Sequence, residues 1–508
     1  MKNAQELTGD KVAMAPEDAA NNMNMNSTHD ESEKVSWGQK IAFGFGMLAN
    51  QMFPAALGVF MVILVEDLGF PPLLWGLIFF VPRLFDAITD PIMGFISDNT
   101  KSKWGRRRQY VFIGALIMGF SFVAMWQLYE ANGLAYNFWY FLSLSIVFYL
   151  GLTIFSVPYV AMGYEMSDDF HERTRIMAVA QWIGQWAWVI APWFWVVLYK
   201  PEWFETADAG AREVSIYVGI GCMFLAMIPS IFIKSRSTLN DTNLKPITLG
   251  HIKESFVEIG DGFKQAWKNK PFMKLCGATF LVFNSFNTIA AFSFFIIVYH
   301  LFGGDAGAAG NWPALHGSLG ALATTFLVIP IVTKMSEKFG KKKTFMISQG
   351  ISIIGYILFW FLFVPGKPWL FIFALPFFSF GIGSLFTLMM SMTADVCDLD
   401  ELKFGLPRKE GTFGAIYWWM VKFGQAIAGL STGLIMGLVG FTQGADTQPE
   451  EAITGLRLFY TLLPIAGTLL AMYIMRNYDL TEEKVNEISV ELKKRRKAAK
   501  EQGPQPSE

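Results

Sequence analysis

The chain has 508 residues, of which 53% are hydrophobic and only 16% are charged, and its formal net charge is −1. A soluble domain carries about 25% charged residues, so this composition excludes an ordinary soluble protein and indicates a chain that crosses the membrane many times. The balanced charge gives no basis for a nucleic-acid partner. The three cysteines, Cys222, Cys276 and Cys397, are far apart and lack metal-binding or redox spacing.

The apolar runs of the chain predict its architecture. The first 36 residues are polar and acidic, and we expect a disordered cytoplasmic tail there, without the apolar core of a signal peptide. Twelve apolar runs follow, each close to the roughly 20 residues that cross a bilayer as a helix. These predicted spans, numbered one to twelve in chain order, are 41–65, 73–97, 110–128, 138–161, 176–198, 215–233, 272–301, 313–335, 344–364, 369–392, 412–440 and 455–475. The predicted fold is an all-α membrane protein.

A polar linker divides the spans into two groups of six. After the tail at 1–36, the predicted units are a first half at 37–233, a linker at 234–271, a second half at 272–476 and a cytoplasmic tail at 477–508. Residues 251–267 of the linker have apolar side chains at helical spacing, which predicts an amphipathic helix on the membrane surface. The loops after spans two and eight each place three basic residues after a glycine, at 105–108 and 340–343. This weak repeat is typical of transporters built from two related halves.

Lysine and arginine are concentrated in alternate loops, namely those after spans two, four, six, eight and ten. The loops on the other side are poor in lysine and arginine, with only Lys200, Arg212 and Lys367 clearly among them. Because basic loops stay on the cytoplasmic side, we expect both termini in the cytoplasm, which requires an even number of spans.

Span two contains three charged side chains, Arg83, Asp86 and Asp90. Each charge within a membrane span costs at least about 2.5 kcal/mol by insertion scales, so such residues are rare and usually functional. Asp86 and Asp90 are four residues apart, so on a helix they lie one turn apart on the same face. A bound cation, a proton or a basic partner would relieve their repulsion. Lys422 lies about 15 Å into span eleven, too deep for simple snorkelling, and the two carboxylates are its expected partner.

Several motifs are more specific than these patterns. RLFDAITDPIMG in span two is followed by SDNTKSKWGRRR, and TADVCDLDELKFGLPRKEG runs into WMVKFGQAIAG of span eleven. VPYVAMG and DDFHERT stand at the end of span four and after it. Together these strings resemble the glycoside–pentoside–hexuronide:cation symporters of the major facilitator superfamily, the family of the melibiose permease. The resemblance extends over residues 37–476 and implies the major facilitator fold, with two six-helix halves and a substrate site between them.

For the coupling ion, the resemblance implies a site on Asp86 and Asp90, with Thr89 and with Thr153 of span four. Carboxylate and hydroxyl oxygens suit a hard cation, so we expect Na⁺, with H⁺ as the alternative. Lys422 stands at the position of the family's lysine, which implies a coupling role through the same carboxylates. We expect no cofactor besides the coupling ion.

Arg83 precedes Asp86 by one helical turn on the same face. Its guanidinium is expected either to hold that carboxylate or to reach substrate hydroxyl groups, and the sequence does not separate these two roles.

The expected substrate site departs from the melibiose permease. Positions at which that protein has charged sugar-binding residues carry uncharged polar side chains here, which are Gln51, with Asn50 before it, Ser156 and Gln181. These side chains can still bind hydroxyl groups, and Trp182 or Trp186 could stack on a sugar ring. The tryptophans that follow them, Trp188, Trp193 and Trp195, are expected to form a belt at the membrane interface.

Charged residues near the basic loops are candidates for a gate. Asp98, with the arginine-rich loop that follows it, resembles a loop signature of the superfamily, and we expect Asp98 and Arg106 to latch the two halves together. Asp395 and Arg408 belong to a charged cluster after span ten, and Glu165 lies just past span four. We expect gating salt bridges from this cluster rather than substrate contacts.

The resemblance implies a secondary active transporter that couples cation entry to symport of a sugar or glycoside by alternating access. We expect a monomer surrounded by membrane lipid in the bacterial inner membrane. No catalytic nucleophile with its base and no phosphate-binding loop is recognisable, so an enzyme or an ATP-driven pump is not expected. Two alternatives stay open, which are a cation-coupled carrier of lysolipids and a transport-inactive sensor on the same fold.

Overall fold

The computed structural model describes residues 35–167, 170–235, 237–239, 246–404 and 410–501. Helices account for nearly all of the regular structure in these residues. Those of the first half are Trp37–Glu66, Pro72–Asp98, Arg108–Met125, Leu134–Glu165, the pair Phe170–Ile190 and Trp193–Leu198, and Ala207–Phe232.

Several spans of the second half contain short π-helical or 3₁₀ segments. Span seven is Lys270–Phe295 continued by Ile296–Leu301, and span eight is Trp312–Leu322, Ala323–Val328 and Ile329–Phe339. Span nine is Lys341–Leu362, and span ten is Pro368–Ala374, Leu375–Ser384, Leu385–Met389 and Met390–Phe404. Spans eleven and twelve are Glu410–Leu438 and Glu450–Arg476.

Eleven helical stretches of the described residues are long and apolar enough to cross a membrane, and they coincide with eleven of the predicted spans. The predicted fifth span is not among them. The helix found there, Phe170–Ile190, begins six residues before the predicted span and has the polar residues 171–175 in its first turns, and Pro192 separates it from Trp193–Leu198. Proline lacks the backbone N–H that would continue the helical hydrogen-bond ladder.

Two long helices of the described residues lie outside the spans. The linker helix, Leu249–Lys268, covers the stretch for which an amphipathic helix was predicted, and its Phe263 ring lies 5.6 Å from that of Trp419. The C-terminal helix, Glu482–Glu501, was not predicted, because residues 477–508 were expected only to form a cytoplasmic tail. Its Ile488 and Leu492 are buried, so this helix packs against the bundle.

Glycines let neighbouring helices approach closely in both halves. A Cβ added at Gly114 of span three would lie 2.4 Å from the backbone nitrogen of Phe155 in span four. In the second half, a Cβ at Gly355 of span nine would lie 2.3 Å from the backbone nitrogen of Phe378 in span ten. Corresponding pairs of spans therefore pack through backbone contact in each half, as expected where small residues line membrane-helix interfaces.

The two halves meet closely at the end of the bundle opposite the basic loops. A Cβ at Gly433 of span eleven would lie 2.2 Å from the carbonyl oxygen of Pro72 in span two. A Cβ at Gly317 of span eight would lie 2.7 Å from Cγ of Pro192. Neither position has room for a methyl group, so the halves approach closely here, at the backbone of Pro72 and at the side chain of Pro192.

Polar contacts join the halves at the same place. The Tyr299 hydroxyl of span seven donates to the Glu66 carboxylate at the end of span one. The Ser318 hydroxyl donates to the carbonyl oxygen of Val189 at 2.6 Å. This region is called the closed end below.

Candidate functional site

Span two belongs to the first half, and its two carboxylates lie where that half contacts the second. Asp86 is buried, at 4% exposed, and the Asp90 side chain is 28% exposed. Pro82 and Pro91 lie within the helix on either side of the pair. The helical spacing of four residues places the two carboxylates within reach of one partner.

That partner is Lys422 of span eleven. Its Nζ lies 2.7 Å from Oδ2 of Asp86 and also donates to Oδ2 of Asp90. An ion pair of this kind is charge-assisted, and it offsets the cost of burying all three charges. The two carboxylates and one ammonium together carry a net charge of −1. One added monovalent cation would neutralise the group.

Two threonine hydroxyls complete the oxygen cluster. Oγ1 of Thr153 lies 2.5 Å from Oδ1 of Asp86 and 3.2 Å from Oδ1 of Asp90. Oγ1 of Thr89 lies 3.2 Å from Oγ1 of Thr153 and within 3.2 Å of the backbone oxygens of its own helix. The structure therefore brings together the residues expected at the cation site. Their oxygen-only donor set suits a hard monovalent cation.

Within the described residues, no group of three or more His, Cys, Asp or Glu side chains is placed to hold a metal ion.

Arg83 lies next to this cluster with other partners. Its Nε donates to the Tyr149 hydroxyl at 3.2 Å, and its guanidinium lies 5.6 Å from the centre of the Phe79 ring. Among the described residues, Arg83 makes no ion pair with Asp86 in this state. Tyr149 was not singled out from the sequence, although it precedes Thr153 by one helical turn and so shares its face.

The candidate substrate residues are joined only in part. Nε2 of Gln51 donates to Oε1 of Gln181 at 3.0 Å, and Nε1 of Trp188 donates to Oε1 of Gln51 at 3.0 Å. Trp188 had been assigned to the membrane belt. Its position seven residues after Gln181, on the same helical face, was the signal that could have separated it from the belt.

The other substrate candidates lie outside this hydrogen-bonded group. Nδ2 of Asn50 lies 4.0 Å from the Met47 sulfur, and Ser156 is half-buried. Trp182 is exposed, and its ring lies 6.3 Å from that of Trp186.

The predicted gate residues pair within each half. Nη2 of Arg107 lies 2.6 Å from Oδ1 of Asp98, and Nε of Arg106 lies 2.9 Å from Oε1 of Glu165. The Asp98 pair thus differs from the expected latch between halves. Its partner is the neighbouring arginine, because the short loop folds back on the end of span two.

The second half has a matching pair. Nζ of Lys341 lies 2.7 Å from Oδ2 of Asp395. Both halves therefore join the basic stretch between their second and third spans to an acid near the end of their fourth span. Arg408 lies outside the described residues.

A family model described as MFS/sugar transport protein matches residues 42–482. The chain belongs to this family. The match confirms the resemblance seen in spans two and eleven, and with it the major facilitator fold of an integral membrane protein.

Curated relatives cover nearly the whole chain. A glucuronide carrier protein homolog from Escherichia coli is 26% identical over 474 residues, with 92% of this chain and 97% of that protein covered. A putative sulfoquinovose importer from Escherichia coli is 24% identical, with 91% and 95% covered. An isoprimeverose transporter from Lactiplantibacillus pentosus is 21% identical, with 85% and 86% covered.

Solved structures share the fold. The nucleoside transporter NupG superposes with a TM-score of 0.62 at 13% identity, covering 87% of this chain and 100% of that one. A bacterial homolog of the human lysosomal transporter Spinster, in an inward-facing and unoccupied conformation, has a TM-score of 0.62 at 15% identity, with 87% and 98% covered.

Proposed function

We propose that this protein is a secondary active transporter that couples the entry of a cation, Na⁺, to the symport of a sugar or glycoside. The observation that carries this proposal is the Lys422 ammonium held between Asp86 and Asp90. A buried charge triad with a net charge of −1 is costly to keep in a membrane, and a cation-binding role explains its presence. The names of the relatives, which include carriers or importers of glucuronide, sulfoquinovose and isoprimeverose, support a sugar as the co-substrate.

The ammonium and the coupling ion compete for the same carboxylate oxygens. In the empty carrier, Lys422 neutralises one of the two charges. When Na⁺ binds Asp86, Asp90 and the hydroxyls of Thr153 and Thr89, it releases the lysine from span two. Because span two and span eleven belong to different halves, this exchange couples ion binding to the contact between the halves.

In the proposed alternating-access cycle, the closed end is the side on which the carrier is shut in this state. Gly433 lies close to the backbone of Pro72 and Gly317 close to the side chain of Pro192, and with the hydrogen bond from Tyr299 to Glu66 these contacts keep the halves together opposite the basic loops. We propose that the basic loops face the cytoplasm, with both termini, and that the cavity opens to that side in this state. The division into two six-span halves and an amphipathic linker helix on the membrane surface is part of the same proposal.

Transport into proteoliposomes tests the function. Labelled mono- and oligosaccharides are offered with and without an inward Na⁺ gradient at fixed pH, and then with a proton gradient. We expect one class of sugar to accumulate only with the Na⁺ gradient, and Asp90→Asn to abolish the stimulation.

Glu130→Gln, an exposed carboxylate in a short helical turn, serves as the matched control and should leave uptake unchanged. Undiminished Na⁺ stimulation in Asp90→Asn would refute the cation site. Absence of sugar accumulation under either gradient would refute the sugar transporter, and lipid ligands or binding without transport would then be tested.

A further inference from the structure

We propose that Trp188 is a positioning residue that sets the hydrogen-bond polarity of the candidate substrate site, so that the site selects a sugar bearing a carboxylate. This inference deepens the proposed transport function and rests on it. It begins from the chain of hydrogen bonds that joins Trp188, Gln51 and Gln181.

The direction of this chain follows from the chemistry of indole. The indole of Trp188 can only donate, so Gln51 must turn its carbonyl oxygen Oε1 towards it. The amide nitrogen Nε2 of Gln51 then points towards Gln181. Gln181 must accept through Oε1, and its NH₂ group is left facing away from Gln51.

Gly184 holds the central amide in place. It lies between Gln181 and Trp188 on span five, and a Cβ added there would be 2.8 Å from Nε2 of Gln51 and 2.6 Å from Cγ of Met47. The absence of a side chain at this position lets the Gln51 amide lie against the helix, in reach of one residue on each side. The site is therefore built by three positions at helical spacing on span five and one on span one.

The chain of hydrogen bonds remains accessible. Gln181 is exposed, and Trp188 is 44% exposed. The residue after Trp188 is Val189, whose carbonyl oxygen accepts from Ser318 of the second half. The helix that carries Gln181 and Trp188 therefore contacts the second half as well as the first. A substrate of an alternating-access carrier would bind between the two halves.

Most of the free hydrogen-bonding groups of this site are donors. Two N–H groups of Gln181 and one of Gln51 are not used within the chain of hydrogen bonds. An ionised carboxylate accepts only, and its bonds to such donors are about twice as strong as those between neutral groups. An ammonium group donates only, so it would meet three N–H groups and could bind only the second lone pair of each of the two amide oxygens, whereas a hydroxyl group is intermediate.

The test uses three glycosides that share ring and aglycone and differ only at C6, as carboxylate, hydroxymethyl and aminomethyl. One set has a glucose ring and one a galactose ring, and uptake is measured in proteoliposomes under the inward cation gradient. We expect the carboxylate to be preferred over the hydroxymethyl compound, and the amine to be refused.

Two variants disturb the hydrogen bonds that orient the Gln51 and Gln181 amides, without changing any charge. Trp188→Phe removes the N–H and keeps an aromatic ring, and Gly184→Ala displaces the Gln51 amide. Both should raise KM for the carboxylate about five- to tenfold at an unchanged maximal rate, and should narrow the preference over the hydroxymethyl compound. Trp193→Phe and Gly221→Ala are matched controls, because Trp193 lies beyond the break in span five and the added Cβ at Gly221 meets nothing within 4 Å.

A third variant reverses the polarity. In Gln51→Glu, the introduced carboxylate accepts from both Trp188 and Gln181, so Gln181 turns and presents its carbonyl oxygen. We expect the amine to be accepted and the carboxylate to be refused.

The outcomes separate this inference from the transport function. If no sugar accumulates under any cation gradient, both fail together. If neutral glycosides accumulate with the gradient while the carboxylate is refused, or if Trp188→Phe and Gly184→Ala leave the order of preference unchanged, transport stands and the role of Trp188 is overturned.

Discussion

Nζ of Lys422 lies 2.7 Å from Oδ2 of Asp86, although 336 residues separate them in the chain. The contact joins span eleven of the second half to span two of the first. Neither charge could be buried alone at acceptable cost, because an unpaired charge in this environment is strongly destabilising. The candidate cation site therefore exists only where the two halves meet.

Replacing the lysine should strengthen cation binding. In Lys422→Gln the ammonium no longer competes for Asp86 and Asp90, and the two carboxylates are left to repel each other. Loss of charge-assisted bonds of about 1.5–3 kcal/mol corresponds to at least a tenfold increase in apparent Na⁺ affinity. Isothermal titration of the purified variant measures it.

Lys422→Arg, which keeps the charge, is the control and should bind Na⁺ about as the parent does. Weaker Na⁺ binding in Lys422→Gln would show that the lysine supports the bound ion and does not compete with it.

Thr153→Val should weaken cation binding. The hydroxyl lies 2.5 Å from Asp86 and 3.2 Å from Asp90, and it is a neutral oxygen ligand in a fully buried position. Its removal should lower Na⁺ affinity about tenfold, as expected for one lost bond to a charged group. Thr153→Ser keeps the hydroxyl and should retain most of the affinity. Tighter binding in Thr153→Val would mean that the hydroxyl stabilises only the empty carboxylates.

Gly433→Ala should open the closed end. The added methyl group would lie 2.2 Å from the carbonyl oxygen of Pro72, and overpacking of this kind costs about 1–3 kcal/mol. Gly437→Ala, one turn further along the same helix, adds a methyl group with nothing within 4 Å and should have no effect.

Thiol labelling reports the opening. Phe295 is fully buried at the closed end, where its ring lies 6.0 Å from that of Trp75. In a Phe295→Cys background, labelling by a membrane-impermeant maleimide should be faster with Gly433→Ala than with Gly437→Ala. Equal rates would show that the glycine seam does not hold this end closed.

Asp67, between spans one and two, should make stability depend on pH. Burial raises the pKa of Asp67 to about 6, and nearby Asp208 adds to the rise while the hydrogen bond from Tyr199 at 3.1 Å opposes it. Arg212, which pairs with Asp208, and Glu66 are the other charged groups nearby. The folded state holds its proton more tightly than the unfolded state, so this group lowers stability as pH rises from about 4 to about 6.

Asp67→Asn removes this cost and keeps an oxygen that can accept from Tyr199. We expect its melting temperature in detergent to exceed that of the parent by about 2 °C at pH 7 and to equal it near pH 4. A difference in melting temperature that stays constant from pH 4 to pH 7 would show that ionisation of Asp67 does not change the stability of the fold.

Local pattern predicted most of the architecture. Eleven predicted spans coincide with helices able to cross a membrane, because length and apolarity are properties of a contiguous stretch. The break at Pro192 in span five and the packing of the C-terminal helix were not foreseen. The first is a local event inside an apolar run, and the second depends on what the tail can contact.

The site residues also divide into those that the sequence pointed to and those that only the structure revealed. The shared face of Asp86 and Asp90 follows from helical spacing alone, and their motif pointed to Thr153 and Lys422. The partner of Arg83 and the role of Trp188 emerged only from the structure. Both depend on which side chain of a different span lies opposite, and no periodicity within one span encodes that.

The sequence by itself determined the membrane class, the order of the spans and the family, because hydropathy, charge spacing and motifs are written within single segments. The tertiary structure decided that Lys422 pairs with both carboxylates, that Trp188 orients Gln51, and that the halves close opposite the basic loops. Each of these contacts joins residues far apart in the chain. Their free energy depends on how helices pack against one another, which no single segment specifies.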